Sequence, residues 1–178
     1  DSLDQPSFDA INTYFVSRAV REAGITVALA GTGGDELFGG YRSFREIPRG
    51  CRIARAAGVV PASVLRGLAG VVTRLAMGSP GAVPPQTRWG KLGDALATRG
   101  EIVDLYQVSY ALYSERFLAE LIDRDVLDRA VCGLTPERRA SLTALVDGNS
   151  GLREVSALEL SNFLGQRLLR DTDAASMA

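Results

Sequence analysis

Apolar and polar positions along this 178-residue chain recur mostly with a helical period, and one short run breaks it. Phe8 to Ala23 reads as a helix: Ile11, Tyr14/Phe15, Arg18/Ala19 and Glu22 form a mixed stripe, Ser7 stands at the N-cap and Gly24 at the stop. Next, Ile25-Thr-Val-Ala-Leu-Ala30 is short, largely apolar and opens with three β-branched residues, which predicts a buried strand of an α/β sheet. Beyond Tyr41 the helical period returns. Pro61 to Met77 aligns Leu65, Leu68/Ala69, Val72 and Leu75/Ala76, while Ile102 to Tyr113, Glu115 to Val131 and Val155 to Arg170 repeat the pattern. Breaks fall at Gly78-Ser-Pro-Gly-Ala-Val-Pro-Pro-Gln86 and, more weakly, at Cys132 to Ser141. The expectation is an α/β, predominantly helical chain with one or two parallel strands and roughly seven helices. Its organisation divides into residues 1–46, carrying strand, glycine loop and flanking helices, and residues 47–178, a helical part with a loop near 78–90.

The junction after the strand carries the chemistry. In Ala30-Gly-Thr-Gly-Gly-Asp-Glu-Leu-Phe-Gly-Gly-Tyr41, Gly31, Gly33 and Gly34 permit positive φ and close approach of a ligand to the backbone. The amides opening the next helix favour an anion such as phosphate, and the carboxyl end of a parallel strand is where ligands bind. Asp35 and Glu36 suit the first turn of a helix but repel a bound phosphate unless a cation lies between, which points to Mg²⁺ joining carboxylate to phosphate oxygens. The pattern matches neither a dinucleotide fingerprint, which needs glycine where Glu36 stands, nor a Walker A loop. A glycine-rich turn with an acidic helix start is the plainer alternative.

Composition narrows the chemistry. The chain contains no histidine, which removes imidazole bases, Ser-His and Cys-His nucleophiles and the usual zinc sets. Carboxylates, arginines, hydroxyls and backbone amides remain, an inventory suited to phosphate and adenylate chemistry. A formal net charge of −1 predicts no general affinity for nucleic acid. The most apolar stretch, Gly58 to Gly78, contains Arg66 and Arg74, so neither a membrane span nor a leader is expected, and the cytoplasm follows. Cys51 and Cys132 lack CxxC spacing and read as free buried thiols, and the single lysine, Lys91, reads as a solvated loop charge. Between Tyr41 and Gly93 nine basic residues face the single acid Glu46. They either hold an acidic partner or line the approach of ATP and aspartate, or they are helical arginines whose stems cover apolar surface.

The whole string resembles the Ser-Gly-x-Gly-x-Asp-Glu-Leu-Phe-Gly-Gly-Tyr signature of glutamine-hydrolysing asparagine synthetases. Both ends agree, since Asp4-Gln-Pro-Ser7 through Asn12-Thr-Tyr14 is similar to the family segment before that strand. Leu168-Leu-Arg-Asp-Thr-Asp173 with Ser176-Met-Ala178 is similar to the segment before its Leu-Glu-x-Arg-x-Pro-Phe motif. The resemblance implies part of an adenine-nucleotide α-hydrolase-like (ATP pyrophosphatase) synthetase domain. There ATP adenylates the aspartate side-chain carboxylate, and ammonia, released from glutamine by a glutaminase domain of the full-length chain, displaces AMP. It implies further that the family's Ser-Gly-Gly-x-Asp-Ser pyrophosphate loop lies upstream and its catalytic lysine downstream of these residues, leaving the fragment inactive alone.

Carried onto this chain, the signature assigns Ala30, Gly31, Gly33, Gly34, Asp35 and Glu36 to nucleotide and pyrophosphate, Asp35 to Mg²⁺ through phosphate, and Tyr41 and Asp173 to the substrate side. Thr32 occupies the place where well-studied members carry a glutamate near the adenylate, and a threonine cannot do acid-base work. Ala30 replaces the signature serine, and Ala174 stands where many members have arginine. Asp171 and Asp173 are two residues apart, so on a helix they face different sides, and Asp173 is the one expected to reach a ligand. Two classes of function remain: an amide-forming synthetase, for asparagine or for a related amide or lactam, and a non-catalytic helical interaction module keeping the loop. The oligomeric state, a homodimer included, stays open.

Overall fold

The computed structural model describes residues 7, 9–77, 86–127, 129–130 and 132–176, so most of the loop expected near 78–90 lies outside the described residues. In chain order the helices are α1 (Ala10–Glu22), α2 (Gly34–Phe38), α3 (Ser43–Ala57), α4 (Ala62–Met77), α5 (Leu92–Ala97) and α6 (Ile102–Tyr110). They continue as α7 (Glu115–Leu121), α8 (Arg124–Leu127), α9 (Pro136–Val146) and α10 (Leu152–Leu158), then a π-helix (Glu159–Leu168) and α11 (Leu169–Ser176). The chain divides into two compact units, one from residues 1–41 and 156–178, the other from residues 42–155.

In the first unit, α1 packs on α11. The residue before α1 is Asp9 rather than Ser7, and its amide donates to Asp171 Oδ2 at 2.9 Å, tying the start of α1 to the far end of the chain. Asp171, 1% exposed, is therefore a buried acceptor that joins the two helices. Gly24 (φ +74°) ends α1 in the left-handed region, as glycine does at helix termini.

The strand expected over residues 25–30 is corrected by the structure. Among the described residues no strand ladder forms, and Ile25, Val27 and Leu29 are 51%, 76% and 99% exposed. Local sequence specifies a segment suited to a sheet, but a strand exists only where a neighbour accepts its main-chain hydrogen bonds. No other described segment runs alongside it as a strand. The predominantly helical architecture is observed.

The second unit is built around α3, whose buried Phe44, Ile47, Cys51 and Ala54 follow the helical period. They share a core with Val103, Leu105, Tyr106 and Val108 of α6 and Leu142 and Val146 of α9. Gly50 lets α3 approach α6 closely, because a Cβ there would stand 2.8 Å from Leu105 Cδ2. Arg139 of α9 pairs with the buried Asp104 of α6 through two parallel hydrogen bonds of 2.7 and 2.8 Å. The helix expected over 115–131 is interrupted at Ile122, whose extended backbone (φ −129°, ψ 140°) separates α7 from α8.

Two expectations fail here. Lys91 is no solvated charge: it is 8% exposed, and its Nζ donates to the carbonyls of Val108, Ser109 and Ala111 at 3.0, 3.2 and 2.7 Å. Those carbonyls belong to the end of α6, where the backbone lacks acceptors' partners and a cation is favoured. Burial lowers the lysine's pKa from its ordinary value. Both cysteines are free, but only Cys51 is buried; Cys132 is exposed, with φ 51°. Desolvation first, and the nearby Asp104 second, still push the Cys132 thiol up to about 11, so it is a poor nucleophile. No helix among the described residues is long and apolar enough to cross a membrane.

Candidate functional site

Glycine geometry builds the site in the first unit. Gly33, with φ +98°, turns the chain from the extended segment into α2, and Gly39, with φ +77°, ends that helix after five residues. Both conformations are routine only for glycine. The amides of Gly39 and Gly40 then fold back onto Asp35 O at 3.0 and 2.9 Å, closing a compact loop. The turn at 31–34 and the helix around Asp35 follow the order read from the sequence.

Beside this loop lies a cavity of about 210 Å³, lined by Gly31, Thr32, Gly33, Asp35, Glu36 and Tyr41. Asp9, just before α1, Thr13 of α1, Leu168 at the end of the π-helix and Thr172 of α11 complete the lining. Among the described residues the lining is acidic, with three carboxylates and no lysine or arginine. Among the described residues no cluster of three or more acids or cysteines forms a metal cage.

Six of the residues singled out from the sequence thus meet at one cavity: Gly31, Thr32, Gly33, Asp35, Glu36 and Tyr41. Ala30 is exposed on the extended segment and Gly34 opens α2; neither lines the cavity. Asp173 is exposed on α11 and also apart from it, whereas Asp171, two residues earlier, is buried against Asp9. Asp9, Thr13 and Thr172 were not singled out. Their signal was available in the spacing, since Asp9 and Thr13, like Leu168 and Thr172, are four apart and share a helix face.

Glu36 differs from its neighbour Asp35. It is 1% exposed, and its Oε1 accepts the Tyr41 hydroxyl at 2.9 Å. Its carbonyl accepts Ser156 Oγ at 2.7 Å. The Tyr41 ring meets Phe163 edge-on at 5.5 Å between centroids, an orientation favoured by the ring quadrupoles. Burial, followed by the bond to Glu36, raises the Tyr41 pKa well above the ordinary 10.0, so the phenol stays protonated. The two acids of the signature are therefore divided: Glu36 is engaged in closing the loop, and Asp35 is exposed at the cavity edge.

The π-helix supplies Phe163 and Leu168, and the amide of Leu169 at its end reaches back five residues to Leu164 O. Wide turns of this kind are rare and recur near functional sites.

The family comparison covers this region and the rest of the chain. The asparagine synthase family model matches residues 1–178. Over 46 residues the chain is 50% identical to "Asparagine synthetase [glutamine-hydrolyzing] 1" of Bacillus subtilis (strain 168), a match covering 26% of this chain and 7% of that protein. No solved structure matches the chain. With a family match along its whole length and the glycine loop folded against a cavity, the chain belongs to the asparagine synthase family.

Proposed function

We propose that the protein containing this chain is an ATP-dependent carbon-nitrogen ligase that makes asparagine. ATP activates the side-chain carboxylate of aspartate as its adenylate, and ammonia released from glutamine by a glutaminase domain displaces AMP. The cavity at the glycine loop carries the reading, because it joins backbone of residues 31–33 to the Asp35 carboxylate in one small polar space. Its size decides what it takes. At about 210 Å³ it falls below the roughly 300–1,000 Å³ of clefts that enclose drug-sized ligands. A pyrophosphate-sized group suits it, and the rest of the nucleotide requires surfaces outside these residues.

Mg²⁺ fits the donor chemistry. It binds through one or two carboxylates together with phosphate oxygens rather than in an all-protein cage, and Asp35 offers an exposed carboxylate at the cavity edge. When bound it offsets the charge of the phosphate oxygens. The chain's own residues do the rest: Gly31 and Gly33 admit close approach, Asp35 offers the carboxylate, and the Tyr41–Glu36 bond holds the loop's far side. Without an upstream pyrophosphate loop and a downstream lysine, the 178 residues alone are expected to be inactive.

Thr32 favours a second reading within the same chemistry. It lines the cavity with a hydroxyl where the resemblance implies a glutamate, which suits an acceptor other than aspartate, as in related amide- or lactam-forming synthetases of the same fold. The test is exchange of labelled pyrophosphate into ATP by the full-length protein, with aspartate or other carboxylic acids. Aspartate-dependent exchange supports asparagine synthesis; exchange answering only another acid selects the second reading. Absence of exchange with every acid overturns both.

A further inference from the structure

Gly40 is not in a left-handed conformation, so backbone freedom does not explain it. Space does. A Cβ built on Gly40 would collide with Asp35 Oδ1 and lie 2.6 Å from Asp35 Cγ and 2.9 Å from Asp35 Cβ. The acid thus lies across the bare Cα of Gly40, while the Gly40 amide donates to the Asp35 carbonyl at 2.9 Å. The contrast with the glycines that open the loop is direct: Gly31 and Gly34 would meet nothing within 4 Å, and Gly33 only Leu164 Cδ2 at 3.5 Å.

We propose that Gly40 is a positioning residue: by lacking a side chain it sets where the Asp35 carboxylate stands at the cavity edge. A rotation of Asp35 about its own bonds relieves the Oδ1 and Cγ collisions but not the approach to Cβ, which moves only with the backbone. A methyl group on Gly40 therefore expels the carboxylate and opens the turn together. The inference deepens the proposed role of Asp35 at a phosphate-bound cation and rests on it for the consequence in catalysis. The steric relationship itself does not.

The experiment uses the full-length protein carrying Gly40→Ala, with two readouts. In its crystal structure the Asp35 carboxylate should be displaced by an ångström or more, and the Mg²⁺ concentration giving half-maximal pyrophosphate exchange should rise at least about tenfold, with a rate loss approaching roughly a hundredfold. A merely structural glycine lowers melting temperature without moving the Mg²⁺ dependence. An unmoved carboxylate with unchanged Mg²⁺ dependence overturns the inference. Failure of the proposed cation role reads out separately, as Asp35→Asn keeping both rate and Mg²⁺ dependence while Gly40→Ala still displaces the carboxylate. If Gly40→Ala does not fold, the double variant Asp35→Gly/Gly40→Ala removes the obstructing atoms. Restored folding supports the inference, and continued failure overturns it.

Discussion

The Tyr41 hydroxyl donates to Glu36 Oε1 at 2.9 Å, so the loop that begins with two acids is fastened by a phenol five residues later. Replacing Tyr41 by Phe keeps the ring on Phe163 and removes the donor, leaving a buried carboxylate one partner short. The expected cost is about 1–3 kcal/mol, read by chemical denaturation of the full-length protein. The pH dependence has a definite sign. A phenol whose pKa is raised on folding contributes stability that is complete below its unfolded value of 10.0 and is lost as pH rises through the folded value. Stability of the native protein should therefore fall above pH 10, and the Phe variant should show a shallower fall. Identical alkaline profiles would show that Tyr41 contributes nothing to it.

Asp35→Asn preserves volume and removes charge. In the full-length protein the rate of pyrophosphate exchange should fall at least about a hundredfold, the loss typical of one preorganised electrostatic group. Thermal stability should change little, since Asp35 is exposed. A variant retaining both rate and Mg²⁺ dependence reduces Asp35 to a helix-start residue.

Lys91→Met keeps an unbranched stem and deletes three hydrogen bonds to the end of α6. A destabilisation of about 1–3 kcal/mol is expected from the carbonyls left without their charged donor. Activity per folded molecule should be unaffected. A melting curve indistinguishable from wild type would mean that water replaces the ammonium at no cost.

What was legible followed from local rules. The glycine turn, the short helix at Asp35 and the helices α1, α4 and α6 require only neighbours in sequence, although Ile11 and Phe15 of the stripe expected on α1 and Leu68, Val72 and Leu75 of that on α4 are exposed. What was not legible depended on distant partners. Ile25 to Ala30 carries the composition of a strand, yet pairing is a property of two segments, and one sequence run cannot show whether its neighbour is present. Lys91 looked like a surface charge because the carbonyls it meets lie about twenty positions away, at 108–111. The choice between Asp171 and Asp173 turned on where Asp9 would sit, 162 residues earlier. Cys132 was misread as buried because its loop breaks the helical period that made burial readable elsewhere.

The exposed apolar segment leads to a prediction about the 178-residue chain produced alone. Val27 and Leu29 stand out from a run with unpaired sheet character, the arrangement that templates pairing with another molecule. The isolated chain should associate with rising concentration in light scattering, and Val27→Lys with Leu29→Lys should suppress this without melting α1. Equal scattering by both proteins would assign the association to another surface.

The cavity's lining is drawn from two stretches of sequence, residues 9–41 and 168–172, separated by an insertion of more than a hundred residues. During synthesis the glycine loop precedes α11 by more than a hundred residues, and the pocket's lining is incomplete until α11 has been made. Closing a loop costs entropy that grows only slowly with length, about 0.6 kcal/mol for each doubling, so the long insertion is a modest thermodynamic burden. Its effect is on timing. The residues at 42–155 have a core of their own and can condense first, and the lining of the pocket is then completed only after them.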